Sequence, residues 1–289
     1  MNNKTLQCGF SMPVLGMGTW LMGGRESRDE TDDGNSCVAA LQEGIRLGYR
    51  HIDTAEYYAD GYAEEIVGRA ISSSDVSREE LFLVSKVWKT HLHYDDVLRA
   101  AERTLKRLGT DYLDLYLVHQ VEDSVPLSET MRAMNRLVDE HIVKWIGGSN
   151  FAPSRFEKAQ AYSDSKVVVN QVHYNLQIRE PEVSGLLEYC QEHDVILTAW
   201  RPLQKGMLLN EVPEVVESVA SKYGMTPFQL ALSWLTSQKN VSAIVMSRNA
   251  GHLRENMTAS EVVLASDDIE RLRADYPGQK AISPTVPLL

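Results

Sequence analysis

The chain has 289 residues, of which 43% are hydrophobic and 24% are charged, and its formal net charge is −11 at pH 7. These values are typical of a globular protein with a full core, and they disfavour a nucleic-acid surface, which needs clustered positive charge. The three cysteines are widely spaced. This spacing argues against a disulfide framework or structural zinc and favours a reducing compartment, so we expect a cytoplasmic protein.

The predicted elements begin with a β-hairpin over residues 5–14, which turns at Gly9, and a glycine-rich loop over residues 15–24. No segment near the start has the apolar core of a secretory signal, and no apolar run is long enough to predict a membrane span. Strands then alternate with helices. The predicted strands are 48–53, 81–86, 113–119, 143–150, 167–171, 195–200, 241–247 and a weak eighth at 257–263. The predicted helices are 37–47, 63–71, 95–108, 128–140, 153–162, 182–193, 228–237 and 267–273.

The strand–helix spacing suits parallel βαβ units, and the near-continuous apolar strands predict a sheet that is covered on both faces. About eight such units favour a closed (β/α)8 TIM barrel over an open doubly wound sheet. No linker divides the chain, so we expect residues 1–289 to form a single domain. In such a barrel the active site lies at the rim formed by the carboxyl ends of the strands.

Polar side chains stand at the carboxyl ends of the apolar strands, where one rim would bring them together. A charged or ring side chain at almost every strand end is hard to explain by packing. These residues are Asp53, Lys86, His119, Ser149, Gln171, Trp200 and Ser247.

The residue types at this rim point to proton transfer onto a carbonyl oxygen. A tyrosine can donate that proton, and a buried lysine beside it lowers the phenol pKa. Asp53 would pair with Lys86, and His119 could orient the carbonyl. Either Tyr57 or Tyr58 could be the donor on this evidence alone. Because the set has no internal electron source, the hydride must come from a cofactor.

Several separated motifs resemble the aldo-keto reductase superfamily, in family order, from about residue 12 to residue 276. They are GYRHIDTAEYY, GYAEEIVGRAI, LFLVSKVW, DYLDLYLVH, IGGSNF, NQVHYN and RENM. The resemblance implies an NAD(P)H-dependent reductase of aldehydes or ketones with no Rossmann domain. It also implies that Asp53, Tyr58, Lys86 and His119 are the catalytic residues, with Tyr58 as general acid.

The resemblance further implies that the nicotinamide cofactor lies across the barrel mouth. Ser149, Asn150 and Gln171 would hold its carboxamide, Trp200 would stack on its ring, and Glu255 and Asn256 would meet the adenosine. The full implied set is Gly18, Thr19, Asp53, Ser149, Asn150, Gln171, Trp200, Arg201, Pro202, Leu203, Ser247, Arg248, His252, Glu255 and Asn256.

Two departures from the family pattern affect the cofactor. Trp200-Arg201-Pro202-Leu203 replaces a frequent Tyr-Ser-Pro-Leu, and Met246 and His252 replace a lysine and an arginine that many members place near a 2′-phosphate. Ser247 and Arg248 could still bind that phosphate. We therefore expect NADP(H) to be favoured, with NAD(H) possible.

The carbonyl substrate is expected among Trp20, Tyr58, Trp88 and His119, whose aromatic walls suit small aldehydes. We expect a monomer without metal, membrane or nucleic-acid partners. Two alternative functions stay open at this point. One is a cofactor-binding regulatory subunit with little turnover, and the other is a barrel metal hydrolase that uses His91 and His93. Asp53 and Lys86 could also be a purely structural ion pair.

Overall fold

Eight parallel strands close into a barrel in the computed structural model, which describes residues 2–206, 208 and 211–289. Each strand pairs with its sequence neighbour, and the last strand pairs with the first to close the ring. The predicted (β/α)8 TIM barrel is therefore confirmed. Among the described residues, no helix combines the length and apolar composition that crossing a membrane requires.

The strands fall into a small antiparallel sheet and the barrel. The antiparallel sheet consists of β1 (Asn3–Thr5) and β2 (Ser11–Pro13). The barrel strands are β3 (Leu15–Gly18), β4 (His51–Asp53), β5 (Phe82–Val87), β6 (Leu113–Val118), β7 (Val143–Ser149), β8 (Val167–His173), β9 (Ile196–Trp200) and β10 (Val241–Val245).

Helices follow the strands and surround the barrel. They are α1 (Asn35–Leu47), α2 (Tyr62–Ser72), α3 (Tyr94–Leu108), α4 (Leu127–Asp139), α5 (Pro153–Ala161), α6 (Glu180–Val183), α7 (Leu186–Glu192), α8 (Glu214–Tyr223), α9 (Pro227–Ser237), α10 (Ala250–Ala259) and α11 (Ser266–Asp275). Short 3-10 turns lie at Tyr58–Gly61, Arg78–Glu80 and Lys89–His91.

The amino-terminal hairpin closes the barrel at the end opposite the carboxyl rim. Its turn includes Gly9, whose φ of 90° suits glycine. Leu6, Phe10 and Met12 are buried in one apolar cluster with residues from the interior faces of the strands, such as Leu117. The predicted hairpin is confirmed.

One barrel strand lies where a loop was predicted. Leu15–Gly18 forms β3, although two glycines in four residues give it little intrinsic strand preference. Gly16 is needed there because a Cβ would lie 2.5 Å from the imidazole Nδ1 of His51 on the adjacent strand. The strand predicted at 257–263 is wrong, since those residues cover the end of α10 (Ala250–Ala259) and the turn and loop after it.

The remaining differences concern helices with weak local signals. The predicted helix 182–193 is two short helices, because Gly185 adopts a left-handed φ of 76° between them. Helices α8 and α10 were not predicted. Only Leu253, Asn256 and Ala259 of α10 are buried, so its apolar stripe is too short to read from the sequence.

Gly68 gives a direct test of the packing between α2 and α3. A Cβ on Gly68 would lie 2.5 Å from the backbone oxygen of Arg107, which has little room to move. We expect Gly68→Ala to lower the free energy of unfolding by about 1–3 kcal/mol through overpacking, although alanine is the better helix former. Urea denaturation measures this loss.

Gly44→Ala is the matched control, because the Cβ there meets the flexible thioether of Met17 rather than backbone. It should cost less than Gly68→Ala. Equal stability of Gly68→Ala and the wild type would contradict the close approach of α2 and α3.

Candidate active site

A buried ion pair lies at the centre of the carboxyl rim. Asp53 ends β4, Lys86 lies near the end of β5, and both side chains are almost fully buried. The Lys86 ammonium donates to Asp53 Oδ1 at 2.5 Å, to the Thr54 carbonyl at 2.8 Å and to the Tyr58 hydroxyl at 3.3 Å. A lysine has three N–H donors, so this geometry uses all of them and aims one at the phenol.

The backbone after Asp53 sets which tyrosine reaches the lysine. Ala59 and Asp60 adopt left-handed φ values of 51° and 54° directly after Tyr58. Their N–H groups donate to the carbonyls of Arg25 and Glu26 at 2.8 and 2.9 Å, which fastens this turn to the loop after β3. The Tyr58 hydroxyl therefore points to Lys86.

Tyr57, the second candidate proton donor, has a different position. Its ring stacks on Trp88 with centroids 3.6 Å apart and an interplanar angle of 14°. No hydrogen bond joins it to Lys86 in the described part of the chain. Of the two candidate donors, the described geometry therefore brings Tyr58, and not Tyr57, into contact with Lys86.

The electrostatics of the pair differ in part from the expectation. Burial alone would lower the pKa of Lys86, but Asp53 and Tyr58 raise it above the usual value, so the ammonium stays charged. Burial raises the pKa of Tyr58, and Lys86 opposes that shift without cancelling it. The expected lowering of the Tyr58 pKa by Lys86 is therefore present, but burial outweighs it and the net shift is upward. Tyr58 carries its proton at neutral pH.

His119 lies directly beyond β6, and its backbone N–H donates to the Val87 carbonyl at 3.0 Å. Its ring centroid is 5.5 Å from that of Tyr58. Burial lowers the pKa of His119 well below its usual value, and the Lys86 charge lowers it further, so the imidazole is neutral at pH 7. Its Nδ1 is buried without a hydrogen-bond partner among the described residues.

A hydrogen-bonded chain joins Asp53 on β4 to Trp200 on β9 through residues on β8 and at the end of β7. The side-chain Nε2 of Gln171 donates to Asp53 Oδ2 at 2.7 Å. The backbone carbonyl of Gln171 accepts from Ser149 Oγ at 2.8 Å. Asn150 donates to Ser149 at 2.9 Å and accepts from Trp200 Nε1 at 3.0 Å. The geometry thus brings together the residues expected to meet the nicotinamide.

This donor set fits a nicotinamide. Within the described residues, the side-chain amides of Asn150 and Gln171 each use only part of their hydrogen-bonding capacity, and amides pair well with a carboxamide. Trp200 supplies an indole ring at the same rim. His173 stacks against the indole at 4.1 Å, so it supports the indole from one side.

His173 was not singled out from the sequence. It is buried, and its two ring nitrogens lie 2.7 Å from Ser283 Oγ and 2.8 Å from Gln204 Oε1. Burial lowers its pKa to about 4, so the ring is neutral at pH 7. Its position two residues after Gln171 on β8 was the available signal, because side chains alternate along a strand.

The segments beside Asp53 and Trp200 line the same rim. Gly18 pairs with Asp53 in the barrel register, and Thr19 donates its N–H and hydroxyl to the Asp53 carbonyl at 3.0 and 3.1 Å. The guanidinium of Arg201 lies 5.3 Å from the Trp200 ring and donates to Thr285 at 2.8 Å. Pro202 is buried and Leu203 half-buried in the turn that follows.

A second group of predicted residues lies outside this rim cluster, in the loop after β10 and on α10. Arg248, His252 and Glu255 are exposed, whereas Asn256 is buried. Ser247 Oγ accepts from the Asn249 N–H at 3.1 Å at the start of α10. Over the residues that the structure describes, none of this group hydrogen-bonds to the Lys86–Asp53 pair. Such a separate position is expected for residues that would hold the far end of a long cofactor.

Three aromatic rings, those of Trp20, Tyr57 and Trp88, lie beside Tyr58 and His119. Trp20 packs edge-on against Tyr58 with centroids 5.0 Å apart. Trp88 packs edge-on against His119 at 5.1 Å and stacks on Tyr57. The expected Trp20 and Trp88 thus border the candidate donor, and Tyr57 joins them although the sequence did not single it out as a wall residue.

His91 and His93 have separate carboxylate neighbours. His91 Nδ1 lies 3.0 Å from Glu56, and His93 Nδ1 lies 3.2 Å from Glu129. In the part of the chain that the structure describes, no three potential histidine, cysteine or carboxylate ligands form a group that could hold a metal. The geometry does not favour the metal-hydrolase alternative, since it gives this histidine pair no shared site.

Comparison with known proteins identifies the family to which this chain belongs. Residues 14–276 match the Aldo/keto reductase family. The chain is 37% identical to methylglyoxal reductase YeaE of Escherichia coli (strain K12), and the match covers 97% of each protein.

Two solved structures resemble the fold closely. The thermostable aldo-keto reductase Tm1743, in complex with the inhibitor epalrestat, superposes with a TM-score of 0.90 at 44% identity, over 95% of this chain and 99% of that one. An aldo-keto reductase from Klebsiella pneumoniae in complex with NADPH gives 0.82 at 36% identity, over 97% and 98%. The chain therefore belongs to the aldo/keto reductase family of NAD(P)H-dependent oxidoreductases.

Proposed function

We propose that this enzyme reduces small aldehydes at the Asp53–Tyr58–Lys86–His119 cluster, with Tyr58 as the general acid. The observation that carries the proposal is the Lys86 ammonium, which is buried, charged and hydrogen-bonded to the Tyr58 hydroxyl at 3.3 Å. A reduced nicotinamide, when bound, would supply the hydride. Methylglyoxal is a suitable first substrate, because the Escherichia coli relative is named as its reductase.

The four side chains divide the proton chemistry among them. Tyr58 is protonated at neutral pH, so its hydroxyl can donate to the carbonyl oxygen. Lys86 stabilises the phenolate that remains, and Asp53 keeps Lys86 charged inside the barrel. His119 is neutral, so it can donate a hydrogen bond that orients the carbonyl without adding charge.

The cofactor would be held by the two residue groups at and beyond the rim. Ser149, Asn150 and Gln171 would bind the carboxamide, and Trp200 would stack on the ring. The turn from Arg201 to Leu203 and the segment Gly18–Thr19 would line the path. At the distal end, Ser247, Arg248, His252, Glu255 and Asn256 would contact the adenosine and its phosphate.

NADP(H) is proposed as the preferred cofactor, with NAD(H) as a possible second one. Arg248 is exposed and forms no ion pair among the described residues, so its guanidinium is available for a 2′-phosphate. It also precedes the first turn of α10, where helix N–H groups favour an anion.

The whole chain is proposed to act as one domain and as a monomer in the cytoplasm. Leu289 donates its N–H to the Asn150 carbonyl and accepts from the Ala152 N–H, which joins it to the loop after β7, and Val14 donates to the Asn2 carbonyl directly before β3. The four proposed catalytic residues come from one chain, so the site needs no second copy. All three cysteines are free thiols, which suits a reducing compartment.

Replacing the proposed proton donor tests the central assignment. We expect Tyr58→Phe to lower kcat for methylglyoxal about 10²–10⁴-fold, because the ring remains and the acidic proton is lost. NADPH binding, followed by tryptophan fluorescence, should persist. The loss of NADPH absorbance measures turnover.

Tyr57→Phe is the matched control, because the stack on Trp88 does not need the hydroxyl. It should retain most of the activity. Full activity in Tyr58→Phe, or an equal loss in Tyr57→Phe, would show that the donor is assigned wrongly.

The distal arginine tests the cofactor preference. Arg248→Ala should weaken NADPH binding about tenfold by removing one charge-assisted contact and should leave NADH binding nearly unchanged. Arg254→Ala is the control, because it removes the same charge from an exposed position on α10 that lies 3.8 Å from Glu43. If both variants weaken NADPH binding alike, or if Arg248→Ala weakens NADH binding equally, the phosphate contact is absent.

A further inference from the structure

Glu56 is a buried carboxylate at the rim that the proposed reaction does not use. It lies two residues before Tyr58 in the turn after β4 and is only 7% exposed. A carboxylate in such a place must be hydrogen-bonded or paired, because burial of an uncompensated charge is costly. Its partners therefore indicate what the side chain does.

Among the described residues, the hydrogen-bond and ion-pair partners of the carboxylate lie in the loop after β5 and on α3. Oε1 accepts from the Trp88 backbone N–H at 2.6 Å and lies 3.0 Å from His91 Nδ1. Oε2 lies 3.7 Å from the guanidinium of Arg103. The last two partners are 38% and 45% exposed, so water screens them, whereas the bond to Trp88 is short and charge-assisted.

The Trp88 backbone is where the chain leaves β5 and turns. Val87 ends the strand, and the Trp88 carbonyl accepts from the His91 N–H at 2.9 Å across the 3-10 turn Lys89–His91. An acceptor fixed at the Trp88 N–H therefore sets the direction in which its indole leaves the strand.

The indole placed in this way reaches the reaction centre. It stacks on Tyr57 at 3.6 Å and packs edge-on against His119 at 5.1 Å. Glu56 and Tyr57 are adjacent in the chain, so one short segment holds the tryptophan both by its backbone and by its ring.

We propose that Glu56 is a positioning residue whose hydrogen bond to the Trp88 N–H holds the Tyr57–Trp88 ring pair as a wall for the carbonyl substrate. The inference rests on the proposed function, because that function places the substrate beside these rings. The proposal also accounts for His91, which the sequence had offered with His93 as a possible metal ligand. His91 lies 3.0 Å from the Glu56 carboxylate and so belongs to the support of these rings.

Three replacements of Glu56 separate the reach of the acceptor from its charge. Glu56→Ala removes the acceptor, Glu56→Asp keeps the charge but is one methylene too short, and Glu56→Gln keeps an oxygen at the same reach. With benzaldehyde as the probe, whose ring would meet the wall, Glu56→Ala and Glu56→Asp should raise KM about tenfold. Glu56→Gln should stay near the wild-type KM.

The split between kinetic parameters distinguishes positioning from a general structural role. At saturating benzaldehyde, kcat of the Glu56 variants should remain within about threefold of wild type, because the tetrad is intact, and Kd for NADPH should be unchanged. The comparison of Glu56→Asp with Glu56→Gln decides the question if Glu56→Ala does not fold.

Glu129→Ala is the matched control. Glu129 accepts from the Tyr94 N–H at 2.9 Å and contacts His93, so it makes the same kinds of contact further along the chain and away from the rings. Its KM for benzaldehyde should equal that of wild type. The inference would be overturned if Glu56→Asp left the KM for benzaldehyde unchanged. It would also be overturned if Glu129→Ala or Glu56→Gln raised that KM as much as Glu56→Asp does.

Failure of the proposed function would look different. In that case, the wild type itself would oxidise no NADPH with benzaldehyde or methylglyoxal. Turnover by the wild type together with unchanged KM values in the Glu56 variants would refute only the role of Glu56.

Discussion

The buried pair of Lys86 and Asp53 is the interaction on which the rest of the site depends. A buried ion pair is stable only when its remaining hydrogen-bonding groups are satisfied. Here one Asp53 oxygen accepts from Lys86 and the other from Gln171, while Lys86 also donates to the Thr54 carbonyl and to Tyr58. The Tyr58 oxygen is therefore one of the hydrogen-bond acceptors of the buried ammonium, and it lies beside a fixed positive charge.

The closed parallel barrel provides the rigidity that this pair needs. Asp53 on β4 stands opposite Val84 on β5, two residues before Lys86, and Thr19 ties the Asp53 carbonyl to the end of β3. The loops position the groups around this pair. The strained turn after Tyr58 directs its hydroxyl toward Lys86, and the hydrogen bond between Glu56 and the Trp88 N–H joins the loops after β4 and β5. Rigid strands thus carry the charges, and the loops carry the aromatic rings that we propose border the substrate.

Much of this arrangement could be predicted from the sequence, because apolar strands that end in a polar residue place that residue at the barrel rim. The positions of Lys86 and His119 followed from this rule. The strand β3 could not be predicted in the same way, since Gly16 serves a close approach to His51 that only the packed barrel reveals.

The chemistry of individual groups was harder to predict than their positions. The direction of the Tyr58 pKa shift depends on how burial compares with the lysine charge, and a sequence does not contain the depth of burial. The supporting contacts of Glu56 and His173 were also missed, because their partners Trp88 and Ser283 lie 32 and 110 residues away. Only the folded chain brings such partners into contact.

The most direct test of the account is a single-turnover measurement on the paired replacement Asp53→Asn with Lys86→Met. Removing both charges avoids leaving one of them buried alone, so the variant should fold and bind NADPH. Because Tyr58 would lose the charge that stabilises its phenolate, we expect the rate of NADPH oxidation with methylglyoxal to fall at least about 100-fold. A rate near that of wild type would contradict the claim that this ion pair drives proton donation by Tyr58.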